Sequence, residues 1–157
     1  IKDVFRDHGE GRNYIPVEFL PKSPDDGMES ISPMFLYAYR HLQQGIDYVL
    51  ALPVAEEGIR KFCLVPLLLA AATLVRLQEH TEDLFNGADV KISRETVVEL
   101  LGVVERVVSD NLQVRLFWEQ LTGPLAMGKE TYADLFAGRG AESALASTLS
   151  TTPGESA

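Results

Sequence analysis

Apolar residues recur at intervals of three and four positions along most of the chain, which is the period of an α-helix with one buried face. The first long segment of this kind begins after Ser32-Pro33 and ends at Pro53. Ser32 is expected to cap this helix, with Pro33 at its first position. Its predicted buried face consists of Phe35, Leu36, Tyr39, Leu42, Ile46, Val49 and Leu50.

A second helix is predicted from about Ala55 to Leu84. It is apolar on nearly all sides between Phe62 and Leu77, which is typical of a helix that is buried at the centre of a bundle. Pro66 is expected to bend this helix, because proline removes one backbone hydrogen bond and crowds the preceding turn.

A third long helix is predicted from about Arg94 to Leu121, after a turn at Asn86-Gly87. Ser93 is expected to cap it, and Gly123-Pro124 is expected to end it. No segment shows the alternation that is typical of a β-strand. The predicted fold class is therefore all-α, in the form of a helical bundle.

Both ends of the sequence carry further expectations. Residues 1–7 have the pattern of the end of a helix without a preceding cap, which predicts that the chain is the C-terminal portion of a longer protein. A short helix is expected over residues 131–137. Residues 138–157 are dominated by small and polar side chains, which predicts a disordered tail after a folded unit of residues 1–137.

Composition narrows the classes of function. The 157 residues are 46% hydrophobic and 24% charged, with a formal net charge of −9, so general nucleic-acid binding is disfavoured. Cys63 is the single cysteine and lies in an apolar run, which favours a reducing cytoplasm. That run extends to Val75 and is too short for a membrane span, so no transmembrane segment is expected.

Two carboxylates near the start of the chain are candidates for metal binding. Asp3 and Asp7 are four residues apart, so on a helix they lie one turn apart and can face the same cation. Mg²⁺ accepts one or two protein carboxylates when phosphate oxygens complete its coordination. The alternative interpretation of this spacing is a solvated acidic face that pairs with Lys2 or Arg6.

Three motifs occur in order over the first hundred residues. The segment Asp3-Val4-Phe5-Arg6-Asp7 followed by Gly11-Arg12-Asn13-Tyr14-Ile15-Pro16 resembles the second aspartate-rich motif of squalene and phytoene synthases. Phe62-Cys63-Leu64-Val65-Pro66 with Ala70-Ala71-Ala72-Thr73-Leu74 is similar to a helix of squalene synthases. Phe85-Asn86-Gly87 with Val90-Lys91-Ile92-Ser93-Arg94 is similar to a third segment of the same enzymes, with an insertion near Ala88-Asp89.

The resemblance implies an isoprenoid synthase fold and Mg²⁺-dependent head-to-head joining of two farnesyl diphosphates to presqualene diphosphate and squalene. Asp3 and Asp7 would bind Mg²⁺, with Lys2 and Arg12 as positive charges beside the diphosphate. Four further residues receive roles from the resemblance. Phe62 would line the hydrophobic cavity and face carbocations, and the substrate would also contact Tyr14, Cys63 and Pro66.

Lys91 and Arg94 match basic positions that contact the phosphates of NADPH in squalene synthases, although both also fit solvated charges at a turn. The first aspartate-rich motif of these enzymes belongs to the N-terminal half, so the resemblance implies that this chain alone is inactive. It also implies a cytoplasmic protein with peripheral membrane contact for product release. One alternative that remains open is the phytoene or dehydrosqualene branch, although Phe62-Cys63 and Lys91-Ile92-Ser93-Arg94 favour the squalene branch. The other is a non-catalytic helical scaffold, because Arg6 replaces the acidic residue that the family usually has there.

Overall fold

The computed structural model describes residues 1–12, 14–15 and 27–127, except for the side chains of residues 5, 6, 8, 27–31, 126 and 127. These residues form helices and no strand, so the predicted all-α class is confirmed for the described part of the chain. The helices are α1 (Val4–Gly9), α2 (Gly27–Ala51), α3 (Glu57–Glu79), α4 (Thr81–Phe85), α5 (Arg94–Val107) and α6 (Asn111–Met127).

Helix α3 lies at the centre and packs against α2, α4, α5 and α6. Its buried apolar residues recur at helical spacing and join the core that the surrounding helices form. The expectation that α3 is buried on all sides is wrong, because Phe62 is 81% exposed and Ile59 is 52% exposed. One face of the central helix is therefore uncovered. The buried apolar face consists of Leu64, Leu68, Ala71, Ala72, Leu74 and Leu77.

Of the described helices, α3 alone is long and apolar enough to cross a membrane, with a mean hydropathy of 1.8 in its most apolar 18-residue window. One third of that window is buried inside the protein, at 33%. The core helices of soluble proteins have the same length and composition. The expectation that the chain has no transmembrane segment therefore stays a prediction.

Helix α2 begins earlier than predicted. Its first residue is Gly27, and Pro33 lies inside the helix, so Ser32 is not its cap. Ser32 is instead buried, at 6% exposure. The cost of Pro33 is limited to one missing backbone hydrogen bond and local crowding, which the packing of the following buried turns offsets. The predicted end of the helix before Pro53 is confirmed, because α2 ends at Ala51.

The predicted second helix is in fact two helices. Helix α3 ends at Glu79, and α4 begins at Thr81. The Thr81 hydroxyl donates to the carbonyls of Leu77 (3.1 Å) and Gln78 (2.8 Å), which are among the last carbonyls of α3. A threonine that bonds backward in this way satisfies the end of a helix and favours a change of direction.

The predicted third helix is also divided. Ser93 caps α5 as expected, because its hydroxyl oxygen accepts from the backbone N–H of Thr96 at 3.1 Å. After α5, the Asp110 carboxylate accepts from the N–H groups of Leu112 (2.8 Å) and Gln113 (3.2 Å) and starts α6. The expected stop at Gly123-Pro124 is wrong, since α6 continues to Met127.

Arg60 joins three helices at one end of the bundle, although it is a charged residue with 0% exposure. Its Nη1 donates to the carbonyls of Val49 (2.8 Å) and Leu52 (2.7 Å) at the end of α2. Its Nε donates to the carbonyl of Val108 at 2.7 Å, after α5, and its Nη2 donates to Asn111 Oδ1 at 2.6 Å, at the start of α6. The guanidinium thus replaces water at two helix C-termini, whose partial negative charge favours a cation.

The turn after α4 contains Gly87 with a φ of +74°, in the left-handed region that favours glycine. The N–H of Gly87 donates to the carbonyl of Leu84, and the N–H of Ala88 donates to that of Asp83 at 2.9 Å. The turn that Asn86-Gly87 predicts is confirmed. It directs the chain from α4 to the segment that contains Asp89, Val90 and Lys91.

The expected helix over residues 131–137 and the tail of residues 138–157 lie outside the described residues, as do residues 16–26.

Candidate functional site

Helix α1 positions the two predicted carboxylates. The backbone N–H of Asp7 donates to the carbonyl of Asp3 at 2.8 Å, so the two residues lie one helical turn apart. Val4, between them in sequence, is 7% exposed and packs inward. The side chains of Asp3 and Asp7 are 39% and 20% exposed, so both can reach solvent and a ligand.

A cavity of about 210 Å³ lies beside α1. Its lining contains five residues that the sequence assigned to metal, diphosphate or substrate binding, although they come from both sides of the Gly9–Gly11 turn. Ile1 and Ile15 line the same cavity and also pack against the hydrophobic core. The structure therefore brings these predicted residues together at one place. They are Lys2, Asp3, Asp7, Arg12 and Tyr14.

Each carboxylate of the cavity contacts a cation. Lys2 Nζ donates to Asp3 Oδ1 at 3.2 Å, and Arg12 Nη2 donates to Asp7 Oδ1 at 3.2 Å. Arg12 also donates to the carboxylate of Glu10. These pairs are partly exposed, so water screens them and each contributes little to stability. A ligand that contains a metal ion and phosphate groups could replace both sides of these pairs, with the metal ion bound to the carboxylates and the phosphates bound to Lys2 and Arg12.

The donor set of the cavity fits a magnesium ion that is bound together with a diphosphate. Carboxylate oxygens are hard ligands, and Mg²⁺ retains positions for water and phosphate oxygens. In the described part of the chain no group of three or more His, Cys, Asp or Glu side chains could hold a metal ion. Asp3 and Asp7 would thus supply two ligands, and the rest would come from the substrate and water. Arg6 is the residue that departs from the family motif, and its side chain is not among those that the structure describes.

Asp89 links this cavity to the turn before α5. Its Oδ1 accepts from Lys2 Nζ at 2.9 Å, and its Oδ2 accepts from Lys91 Nζ. The hydrogen bond from Lys91, followed by that from Lys2, lowers the pKa of Asp89 from 3.8 to about 2. The bond to Asp89 in turn raises the pKa of Lys2 above its ordinary value. Sequence reasoning missed Asp89, because Lys2 is far away along the chain.

Lys91 and Arg94 lie at the start of α5. Lys91 is exposed and contacts Asp89, and Arg94 is the first residue of α5 and is also exposed. Neither residue lines the cavity beside α1, but Lys91 approaches it through the shared carboxylate of Asp89. The structure therefore places one of the two predicted nucleotide contacts next to the predicted metal site.

Phe62, Cys63 and Pro66 lie elsewhere on the molecule. Phe62 and Pro66 are exposed and Cys63 is half-buried, all near the beginning of α3. The end of α5 contacts Arg60 in the same region, so α5 runs antiparallel to α3, and Asp89 lies toward the opposite end. Phe62 is about 25 Å from the last residue of α3 along the helix axis, from the rise of 1.5 Å per residue. The structure does not bring Phe62 into the cavity beside α1.

A second cavity of about 230 Å³ lies between α2 and α6. Trp118 lines it and is 2% exposed, and its Nε1 donates to Gln43 Oε1 at 3.0 Å. Trp118 is therefore a core residue. Its hydrogen bond to Gln43 satisfies the buried indole, which explains the polar residue in this packed region.

Comparison of the chain with protein-family models, with curated proteins and with solved structures finds no match.

Proposed function

We propose that the protein is a head-to-head prenyl transferase of the squalene/phytoene synthase type, with an isoprenoid synthase fold. The observation that supports this proposal is the cavity beside α1. It collects two carboxylates, two cations and an aromatic hydroxyl from a motif that the sequence analysis matched to the diphosphate site of these enzymes. Arg12 and Tyr14 enter the same cavity from beyond the turn that follows α1.

In this proposal Asp3 and Asp7 hold Mg²⁺ on the diphosphate of farnesyl diphosphate. The bound ion supplies a Lewis acid that stabilises the departing diphosphate. Lys2 and Arg12 already lie within hydrogen-bonding distance of the two carboxylates, so they can turn to the anion when its charge develops. Tyr14 is 79% exposed and can donate its hydroxyl to the same group.

The hydrocarbon part of the substrate would lie along the uncovered face of α3. Phe62 lies toward the other end of α3, so it would contact a part of the prenyl chains remote from the diphosphate, where its aromatic ring would attract positive charge without attacking it. Cys63 and Pro66 would shape the wall around it. The N-terminal half of the same protein would cover this apolar face and complete the cavity. Lys91 and Arg94 would contact the phosphates of NADPH in a reductive second step that yields squalene.

A thermal-shift experiment on the full-length protein tests the metal site. Mg²⁺ together with a farnesyl thiodiphosphate analogue is expected to raise the Tm of the wild type, because a ligand that binds only the folded state stabilises it. Asp7→Asn should remove most of this shift. Glu10→Gln is the matched control, since it removes the other carboxylate partner of Arg12 with the same change of charge but leaves both metal ligands in place.

A specific observation favours a second candidate, the non-catalytic helical scaffold. Both carboxylates are paired with cations of the chain itself, and Arg6 adds positive charge to the motif. If Mg²⁺ and the analogue leave the Tm unchanged and Asp7→Asn behaves like Glu10→Gln, the scaffold interpretation is correct.

Product analysis tests the reaction and its branch. Farnesyl diphosphate, Mg²⁺ and NADPH are expected to give squalene with the full-length protein, and Phe62→Ala should lower its yield. A C40 product from geranylgeranyl diphosphate would assign the phytoene branch, and dehydrosqualene formed without NADPH would assign the dehydrosqualene branch. In this proposal the protein is cytoplasmic and contacts a membrane when it releases its apolar product. Co-sedimentation with vesicles during turnover measures this contact.

A further inference from the structure

The carboxylate of Asp89 is shared between two lysines that are remote in sequence. Lys2 Nζ lies 2.9 Å from Oδ1, and Lys91 Nζ contacts Oδ2. Lys2 also contacts Asp3 at 3.2 Å and lines the cavity beside α1. One anionic group of this chain therefore brings two ammonium groups together at the edge of the cavity.

A phosphate group offers the same contacts as the Asp89 carboxylate, because it also has two oxygens that can accept from two cations. Lysine ammonium groups bind phosphates as point charges and need no fixed plane. A diphosphate carries more negative charge than one carboxylate, so it would compete well for both lysines. The Asp89 carboxylate thus occupies the place that a phosphate would take.

The exchange of Asp89 for a phosphate requires little movement. The side chains of Lys2, Asp89 and Lys91 are 29%, 43% and 63% exposed, so water already reaches all three. Val90, between Asp89 and Lys91, is 7% exposed and fixes the backbone in the core. The side chain of Asp89 can therefore turn away while the backbone stays in place.

Another lysine offers a comparison. Lys61 also contacts two carboxylates, Glu105 at 2.7 Å and Glu57 at 3.8 Å. It lines neither of the two cavities described above, and among the described residues no second lysine shares its carboxylates. Lys61 is an ordinary surface ion pair, whereas the Asp89 group combines two cations with a cavity.

We infer that Lys2 and Lys91 form a single phosphate-binding site that Asp89 closes in the free protein and that opens when a phosphate group displaces this carboxylate. The inference deepens the proposed function and rests on it only for the identity of the phosphate. The terminal phosphate of a prenyl diphosphate and a phosphate of a nucleotide share the chemistry that this site recognises. Asp89 would thus reduce the affinity for both.

Calorimetric titration of the full-length protein with inorganic diphosphate, without Mg²⁺ and at low salt, tests the site. Asp89→Asn is expected to lower the Kd about tenfold, because the competing charge is removed from both lysines. Addition of either Lys2→Met or Lys91→Met to this variant should abolish the gain. A gain that survives the loss of Lys91 would show that the two lysines do not act as one site.

Glu105→Gln is the matched control for Asp89→Asn. It changes the net charge by the same amount and also releases a lysine from a carboxylate, but neither Glu105 nor Lys61 lines the cavity beside α1. It is expected to leave the Kd unchanged within about twofold. An equal gain in affinity in Glu105→Gln would overturn the inference, because net charge alone would then explain the effect. No gain in affinity in Asp89→Asn would also overturn it, because Asp89 would then not compete with the phosphate.

Two further titrations distinguish the sources of the phosphate. Farnesyl thiodiphosphate and adenosine 2′,5′-bisphosphate are each titrated into Lys2→Met and Lys91→Met. A ligand that uses the site should bind more weakly to both variants. If Lys2→Met weakened the binding of one ligand only and Lys91→Met that of the other only, the two lysines would not form a shared site. Because the diphosphate titration needs neither Mg²⁺ nor a prenyl chain, a positive result there with no Mg²⁺-dependent shift would reject the proposed function and retain the site.

Discussion

Arg60 and Lys2 are two cations that the fold surrounds with oxygen atoms in different ways. Arg60 has 0% exposure and donates to three backbone carbonyls and the side-chain oxygen of Asn111, all of them neutral. The side chain of Lys2 is 29% exposed and donates to two carboxylates, Asp3 and Asp89. The acceptors of Arg60 are fixed in helix ends, whereas those of Lys2 are side chains that can rotate.

The difference separates a structural cation from an exchangeable one. Removal of Arg60 would leave buried carbonyls without donors, and each such group costs free energy because no water replaces the lost partner. Removal of Lys2 would leave carboxylates that water can solvate, so the folded state would change little. The first arrangement holds helices together, and the second leaves a cation available to a ligand.

The largest effect is expected for Arg60→Met. This change keeps much of the side-chain volume but removes all of its donors, so we expect the free energy of unfolding to fall by about 3 kcal/mol or more. Urea denaturation followed by circular dichroism measures the loss. Arg106→Met, at an exposed position near the end of α5, is the control and should cost no more than about 0.5 kcal/mol. Equal stabilities of the two variants would contradict the structural role of Arg60.

A smaller effect is expected for Asn111→Ala. Asn111 accepts from Arg60 at 2.6 Å and donates to the carbonyl of Leu50 at 3.1 Å, so the change removes one of the four acceptors of the guanidinium. We expect a loss of about 1 to 2 kcal/mol in urea denaturation. In the Arg60→Met background the same change should cost less, because the two residues share one interaction. Additive losses would show that they stabilise the protein independently.

Lys2→Met should have a still smaller effect on stability, of about 0.5 kcal/mol or less, because its ion pairs are exposed to solvent. The same variant should bind inorganic diphosphate more weakly than the wild type in the calorimetric titration. This combination would sharpen the contrast with Arg60. A stability loss as large as that of Asn111→Ala would instead make Lys2 a structural residue.

An effect confined to acidic pH is expected from the titration of Asp89. Its folded pKa of about 2 lies below the ordinary value of 3.8, so its pairing with Lys91 and Lys2 stabilises the folded state above pH 3.8. This contribution is lost as the pH falls from 3.8 to about 2. Carbon NMR of the Asp89 carboxyl group measures the pKa, and Lys91→Met should raise it. An unchanged pKa would contradict the lysine bridge.

The fold was predictable from the sequence where local signals agreed. The end of α2 before Pro53 and the Ser93 cap were both predicted, because each depends on a few neighbouring residues. The break between α5 and α6 was missed, although Ser109-Asp110-Asn111 offered the residue types that cap helices. The continuous apolar period across this segment concealed that signal, and the same occurred at Thr81.

The candidate site was predictable only in part. Residues close in sequence, such as Asp3 and Asp7, were correctly placed together, because a helical turn determines their separation. Asp89 was missed because its contact with Lys2 depends on the packing of α1 near the start of α5, which no local pattern encodes. Arg60 was missed for the same reason, since its acceptors on Val108 and Asn111 are brought near by the antiparallel course of α5.

The contact between Lys2 and Asp89 depends on the left-handed backbone conformation of one glycine. Gly87 has a φ of +74°, a conformation that every chiral L-amino acid adopts with strain. Glycine, which is achiral, adopts this conformation without strain and so allows the chain direction after α4 that positions the carboxylate of Asp89. A side chain at residue 87 would strain this turn and could displace Asp89 from Lys2, although it touches neither residue.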